Sequence, residues 1–352
     1  MRPALKAGLL PIWRDRDTLQ IGVDPRRAVA LARIGPAAAV ISLLDGTRDR
    51  SAVIATACEY GVPAQAAERV LELLAVAGVL DDYPTALHRS LPAELRARLA
   101  PELATASLAY HDGDGGARTL ARRRDAFVRV HGAARIGTGI ATLLAASGVG
   151  RVVCVDPAPV SFADLSPGGL ALADAGEPRA EAAARAIKRA APEARTHDPG
   201  LRPDLAVLTE GFSPELPPAL VRDGICHLAV RAAEAIGVVG PLVLPRRSAC
   251  LRCVELRKSE GDAAWPKVLA QAVCAAPGTP ACDVVLAAMA ATLGAAQALA
   301  FIDGAVGAGS GGSAGVPASV DGTLEVVLPG WQWRRRTWPP HPACLCGASH
   351  PG

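Results

Sequence analysis

The 352-residue chain is long enough for two or three domains and a sizeable core, which excludes a single small module. Half of it is hydrophobic, yet it has only four Phe, five Trp and three Tyr, so Ala, Val and Leu must fill the core; 35 Gly and 29 Pro stay below the density of low-complexity chains. A net charge of +3 offers no extended basic face for phosphates, so nucleic acid is not an expected partner.

Met1-Arg2-Pro3-Ala4-Leu5-Lys6 lacks the apolar region and small-residue cleavage site of a secretory signal, and nine cysteines make an odd count, so a reduced, cytoplasmic protein is expected. Thr18 to Val23 alternates and ends at Asp24-Pro25, predicting a short strand closed by a turn. Helical patterns follow over Pro36–Leu44, Ser51–Tyr60 and from Pro63 to Gly78; the last places Ala67, Val70, Leu71 and Leu74 on one face, and Val79-Leu80-Asp81-Asp82 then offers a closing strand. This order predicts a small winged-helix-like α+β domain over residues 1–100. Its arginines Arg48, Arg50 and Arg69 are offset by Asp45, Asp49, Glu59, Glu68 and Glu72, so no helix has the basic face DNA binding needs. Residues 101–125, with Pro101, the loop Asp112–Gly116 and the basic run Arg122-Arg123-Arg124, are expected to be a linker.

From 126 to 352 an α/β domain is expected. Phe127–His131 reads as a strand, Gly132-Ala133-Ala134-Arg135-Ile136-Gly137 as a glycine turn, Ile140–Ala146 as a helix and Val152–Val155 as a second strand. Asp156 follows 24 residues after Gly132, near the ~20 at which the acid of a Rossmann unit meets a ribose hydroxyl. Cys250-Leu251-Arg252-Cys253 and Cys344-Leu345-Cys346 are short-spaced pairs able to converge on one structural zinc, with His341 as a stand-in for one thiolate and unligated thiols or a disulfide as the alternatives. Cys274 and Cys282 flank Pro277-Gly278-Thr279-Pro280, and no activating partner for either thiol is legible. The 19 uncharged residues Val284–Ile302 are long enough to span a bilayer, but Ala, Gly and Thr dominate and Gln297 lies inside, which favours a buried helix and no membrane partner. A Gly/Ser/Ala loop, Gly304–Gly315, precedes the strand Leu324–Leu328, and Trp331–Trp338 reads as a charged edge strand.

The run Gly132–Asp156, with Ala145-Ala146-Ser147-Gly148-Val149-Gly150, Asp164-Leu165 and Gly176-Glu177-Pro178-Arg179, resembles the ThiF/MoeB family, relatives of ubiquitin-activating enzymes that adenylate a protein C-terminus. The resemblance spans about residues 126–346 and implies a Rossmann-like fold with two cysteine pairs, ATP with Mg²⁺, a peptide or small carrier protein as partner, and a homodimer. It assigns the nucleotide to Gly132, Ala134, Arg135, Gly137 and Asp156, with Arg179 and Glu210 as catalytic residues. The pattern also departs from the family. Ala134-Arg135 stands where the family has Gly-Gly, which predicts a steric cost if that turn needs a positive φ or close phosphate approach. Ser166-Pro167 stands where a triphosphate-contacting arginine is usual, Arg179 replaces a lysine, and Glu210 an aspartate. Residues 15–85 in turn resemble the PqqD-like modules that bind leader peptides. Together these imply a ThiF-like partner protein of an azole-forming cyclodehydratase, presenting a peptide to a separate cyclase. The competing readings are an active adenylyltransferase and a structural protein without ligand.

Overall fold

A computed structural model describes residues 1–210, 212–274, 281–305 and 316–348. The connection holding Pro277–Pro280, the glycine-rich stretch 306–315 and the Cys274 side chain lie outside the described residues. The chain divides into two compact units, Met1–Ala121 and Arg122–Gly352.

The first unit holds β1 (Pro3–Leu5), β2 (Pro11–Trp13), β3 (Leu19–Ile21), β4 (Val29–Leu31), α1 (Ala39–Ser42), α2 (Arg50–Glu59), α3 (Ala64–Val76), β5 (Leu80–Asp82), α4 (Ala86–Ser90), α5 (Ala93–Arg98) and α6 (Ala100–Tyr110); α7 (Ala117–Asp125) runs through the division. The strands β2, β3 and β4 form an antiparallel sheet in that order, leaving β4 at an edge, and β1 pairs with the closing strand β5. The helix predicted over 36–44 is broken into a 3₁₀ turn (Gly35–Ala38) and the single turn α1. In α2, Asp49 caps the helix by accepting from the Ala52 N–H. The predicted stripe of α3, Ala67, Val70, Leu71 and Leu74, is buried against Ile21, Val40, Val53 and Ala57. Residues 101–125, expected as a linker, are largely helical, in α6 and α7, joined by the Asp114-capped loop. Leu103 and Leu120 are buried there with Leu91 and Leu99, apolar contacts that order a stretch whose glycines and charges read as loop.

The second unit is α/β. Its strands are β6 (Phe127–His131), β7 (Arg151–Val155), β8 (Leu205–Leu208), β9 (His227–Ala233), β10 (Ile236–Val243), β11 (Gly322–Val327) and β12 (Gln332–Thr337), in the spatial order β12-β11-β10-β9-β8-β6-β7. From β7 to β9 the neighbours are parallel, and from β9 to β12 antiparallel. Strand β8 is buried along its whole length, as a parallel strand covered on both faces must be. Helices α8 (Arg135–Ala146) and α9 (Arg179–Ala190) link the parallel strands, followed by α10 (Leu216–Arg222), α11 (Leu251–Gly261), α12 (Trp265–Cys274) and α13 (Val284–Ala300).

The helix from Val284 to Gly304 passes a length-and-composition test for a membrane span. Here Leu286, Ala287, Ala290, Ala291, Gly294 and Ala298 of α13 are buried, and the helix packs on α8, β9 and β10. Gln297 has a clear use in this apolar setting: its Oε1 accepts from the Ser319 N–H and hydroxyl at 3.0 and 2.9 Å. Strand β12 is the edge, every residue exposed, with Arg334 ion-paired to Glu325 at 2.6 Å. That is the charged edge the sequence predicts.

Candidate functional site

The glycine turn joins β6 to α8, and its left-handed residue is Gly132, at φ +93°. A Cβ there would meet Thr209 Oγ1 and the Glu210 backbone, because β8 ends beside the turn and the Thr209 hydroxyl donates to the His131 carbonyl at 2.9 Å. Gly137, on the first turn of α8, faces the Gly132 carbonyl with no space for a side chain. Gly132→Ala is therefore expected to destabilise the second unit by about 2 kcal/mol or more, combining left-handed strain with a clash, as chemical denaturation would measure. Ala134 caps α8 at φ −76°, ψ −159°, so the positive-φ cost expected there does not arise, and the left-handed residue is Gly132, two residues earlier. No side chain caps α8, so its first N–H groups have no side-chain acceptor, the arrangement that takes phosphate in nucleotide folds.

Asp156 stands just past β7, as its spacing predicts. Its Oδ2 accepts from the Ala133 N–H at 2.8 Å and its Oδ1 from the Ala158 N–H at 2.9 Å, tying the end of β7 to the glycine turn. The Arg179 N–H donates to the Ala158 carbonyl, which starts α9 at the same place. Arg179 then bridges two acids: it reaches Asp156 Oδ2 at 3.3 Å and binds both oxygens of Asp164 at 2.8 to 3.0 Å. Asp164, overlooked as a site residue, is buried and also accepts from the Ser161 N–H and hydroxyl. The sequence signal was Ser161-x-x-Asp164, a reciprocal capping pattern around a 3₁₀ turn. Arg135 donates to the Leu165 and Cys282 carbonyls, both at 3.1 Å. Burial holds Glu210 above the ordinary carboxylate range, with Asp164 and Asp156 adding to the effect and the guanidiniums of Arg179 and Arg135 opposing it. The cluster thus combines three acids with two arginines. Cys282 lies nearby with its thiol pushed up to about 11 by burial and by the Glu210 charge, and so is protonated at neutral pH.

The second predicted site is also assembled. Cys250 caps α11, Cys253 sits on its first turn, and the tail returns Cys344 and Cys346 to them. The Sγ atoms of Cys250 and Cys253 are 3.8 Å apart, Cys250 and Cys344 3.6 Å, and Cys253 and Cys346 3.6 Å; all four lie within 4.8 Å of one another. Tetrahedral coordination with ~2.3 Å metal–sulfur bonds requires sulfurs about 3.8 Å apart, so the set fits one zinc-like ion. A disulfide needs ~2.05 Å and is not formed. His341 is not part of the set: its Nε2 meets Glu260 at 2.9 Å and its Nδ1 accepts from the Ala343 N–H.

A parallel β-strand unit with its glycine turn, uncapped helix and strand-end acid defines a Rossmann-like nucleotide fold. Residues 110–207, from the end of α6 through β8, match the ThiF family. No curated protein matches the sequence. Among solved structures the chain is similar to E. coli MccB with AMPCPP and selenomethionine MccA, at 16% identity and a TM-score of 0.72, covering 99% of this chain and 100% of that one. It is also similar to E. coli MccB with ATP (15%, TM-score 0.69, 98% and 99%) and to PaaA (15%, TM-score 0.69, 95% and 99%). At these identities the likeness is one of fold.

Proposed function

We propose that this chain is a peptide-binding ThiF-type protein with a degenerate adenylation cleft, which receives a peptide or small carrier protein and presents it to a partner enzyme such as a cyclase. The observation that carries this reading is the state of Arg179. Adenylation needs cations left available for a triphosphate and for the charge that develops at the α-phosphorus. Arg179 is instead held by Asp156 and Asp164, Arg135 is held by two carbonyls, and Pro167 stands where the family places a further arginine. Three acids against two engaged arginines leave no positive surplus for Mg·ATP.

The N-terminal unit supports the peptide half of the reading. Beside the edge strand β4 lies a cavity of about 550 Å³, bounded by Val29, the end of α3 and the side chains of Arg27 and His111, with no carboxylate in its wall. A winged-helix-like recognition module uses such an edge to add a peptide as a strand, with the neighbouring cavity selecting its side chains. The lining favours a peptide with an acidic residue. MccB, similar over its whole length, has been solved with the MccA peptide, which supports the same class of partner here. The test is fluorescence anisotropy of the full chain with labelled peptides encoded beside its gene. Saturable binding weakened about tenfold by Arg27→Glu is expected; no binding to any such peptide sinks the assignment.

The four thiolates are assigned to a structural zinc, whose closed sulfur shell leaves no position for a substrate. The second reading is an active adenylyltransferase that activates the C-terminal carboxylate of a ubiquitin-like or sulfur-carrier protein. The uncapped start of α8, intact Gly132 and Asp156, and the likeness to MccB solved with ATP favour it. Arg179 would then have to exchange its acids for phosphate, with Glu210 assisting Mg²⁺. A cytoplasmic location and a homodimer complete the proposal.

A further inference from the structure

A cavity of about 560 Å³ opens between α10 and the start of α11, and Cys250, Cys344 and Cys346 form part of its wall. None of its lining residues belongs to the Gly132–Asp156–Arg179 cluster, and its size is that of a small-molecule site. One wall is apolar: Pro217, Pro218 and Val221 on α10, Leu251 on α11, and Leu345, which projects wholly exposed between two of the cysteines. Three arginines, Arg222, Arg246 and Arg252, line the same space. Arg222 meets Asp223 at 3.5 Å, while Arg246 and Arg252 make no ion pair among the described residues. The one carboxylate in the lining, Glu255, is bound by Lys258 at 3.1 Å and by the Trp265 indole N–H.

His227, with none of its surface exposed, is part of this lining. Its Nδ1 faces the Ile225 carbonyl at 3.0 Å, a contact only a protonated Nδ1 can make, so Nε2 carries a lone pair. That nitrogen is buried with no hydrogen-bond partner, an arrangement native structures rarely leave unexplained. His227 is not among the residues whose donor atoms cluster with the thiols, so an ion held by the four sulfurs leaves this nitrogen without a partner.

From the apolar wall, the unpaired guanidiniums and the unsatisfied imidazole, we infer that this cavity binds a small organic acid with an apolar body, a carboxylate for Arg246 and Arg252, and a hydrogen-bond donor for His227. The ligand is a free small molecule and not the peptide handled by the N-terminal unit. The probes are 3-(4-hydroxyphenyl)propanoate, the same acid without the hydroxyl, and 4-propylphenol, which lacks the carboxylate. Titration calorimetry of the full-length protein is expected to give saturable one-site binding of the hydroxy acid, about fivefold tighter than 3-phenylpropanoate. Arg252→Ala and the Arg246→Ala/Arg252→Ala double variant should weaken both acids about tenfold or more and leave 4-propylphenol unchanged, with unfolding midpoints near wild type. Three results overturn the proposal: no saturable binding, equal affinity for 3-(4-hydroxyphenyl)propanoate and 4-propylphenol in the wild type, or acid binding indifferent to the loss of Arg252 and Arg246. Equal affinity for the two acids removes His227 from the site and overturns its role as acceptor.

Discussion

Cys253→Ala is expected to lower the stability of the second unit by about 4 kcal/mol or more, a size in keeping with the loss of a structural metal. Cys253 is fully buried, and its sulfur joins the Cys250 knuckle on α11 to Cys346 of the tail. Removing it leaves three of the four sulfurs. Few large side chains surround the thiols, since their local cluster is built from Val243, Ala249, Val221 and Leu251, so apolar packing cannot hold the tail in place by itself. For a unit of this size the loss corresponds to roughly 8 to 16 °C in midpoint. Calorimetry paired with metal analysis checks it. One zinc per wild-type chain and a large fall in the variant are expected; no bound metal and an unchanged midpoint would make the four thiols simple packing residues.

Arg179→Met is the second large effect. The Asp156 and Asp164 side chains are only 9 and 8% exposed, and the substitution leaves both without the guanidinium that compensates them. Breaking a buried ion pair from one side costs about 3 to 5 kcal/mol, of which the partial exposure of Arg179 relieves some, so about 3 is expected. Adding Asp164→Asn removes one uncompensated charge while its side-chain oxygen still accepts from the Ser161 N–H, so the double variant should recover roughly half of the loss. Urea denaturation of the two single variants and the double decides this. Strict additivity would show that Arg179 and Asp164 are not coupled, and the closed network would fall with it.

Much of the second unit was legible because its chemistry is local. Strand, turn, helix, strand and acid follow one another from Phe127 to Asp156, where glycine chemistry and apolar periodicity agree. The cysteine pairs were legible for the same reason, and the single-residue spacing of Cys344 and Cys346 proved no obstacle, since each faces a different sulfur of the first pair. Asp164 was not legible as the partner of Arg179, because the two meet only once the 156–179 segment folds back on itself through the Val160–Glu177 and Ala158–Arg179 backbone bonds. The positive-φ strain expected at Ala134 is absent because composition marks a turn but not which of its residues takes the positive φ. In the N-terminal unit, β1, β2 and β4 have three residues each and β2 is exposed throughout, too short a span for alternation to register.

The reading of the cleft as degenerate meets its most direct test in ATP–pyrophosphate exchange by the full-length protein, assayed with Mg²⁺ and with the peptide that binds the N-terminal unit. The account predicts no exchange above the protein-free background, with or without peptide, and none in Arg179→Lys, which restores the family's cation but not the missing arginine at Pro167. Peptide-dependent exchange that disappears in Arg179→Ala would contradict it and establish the chain as an adenylating enzyme.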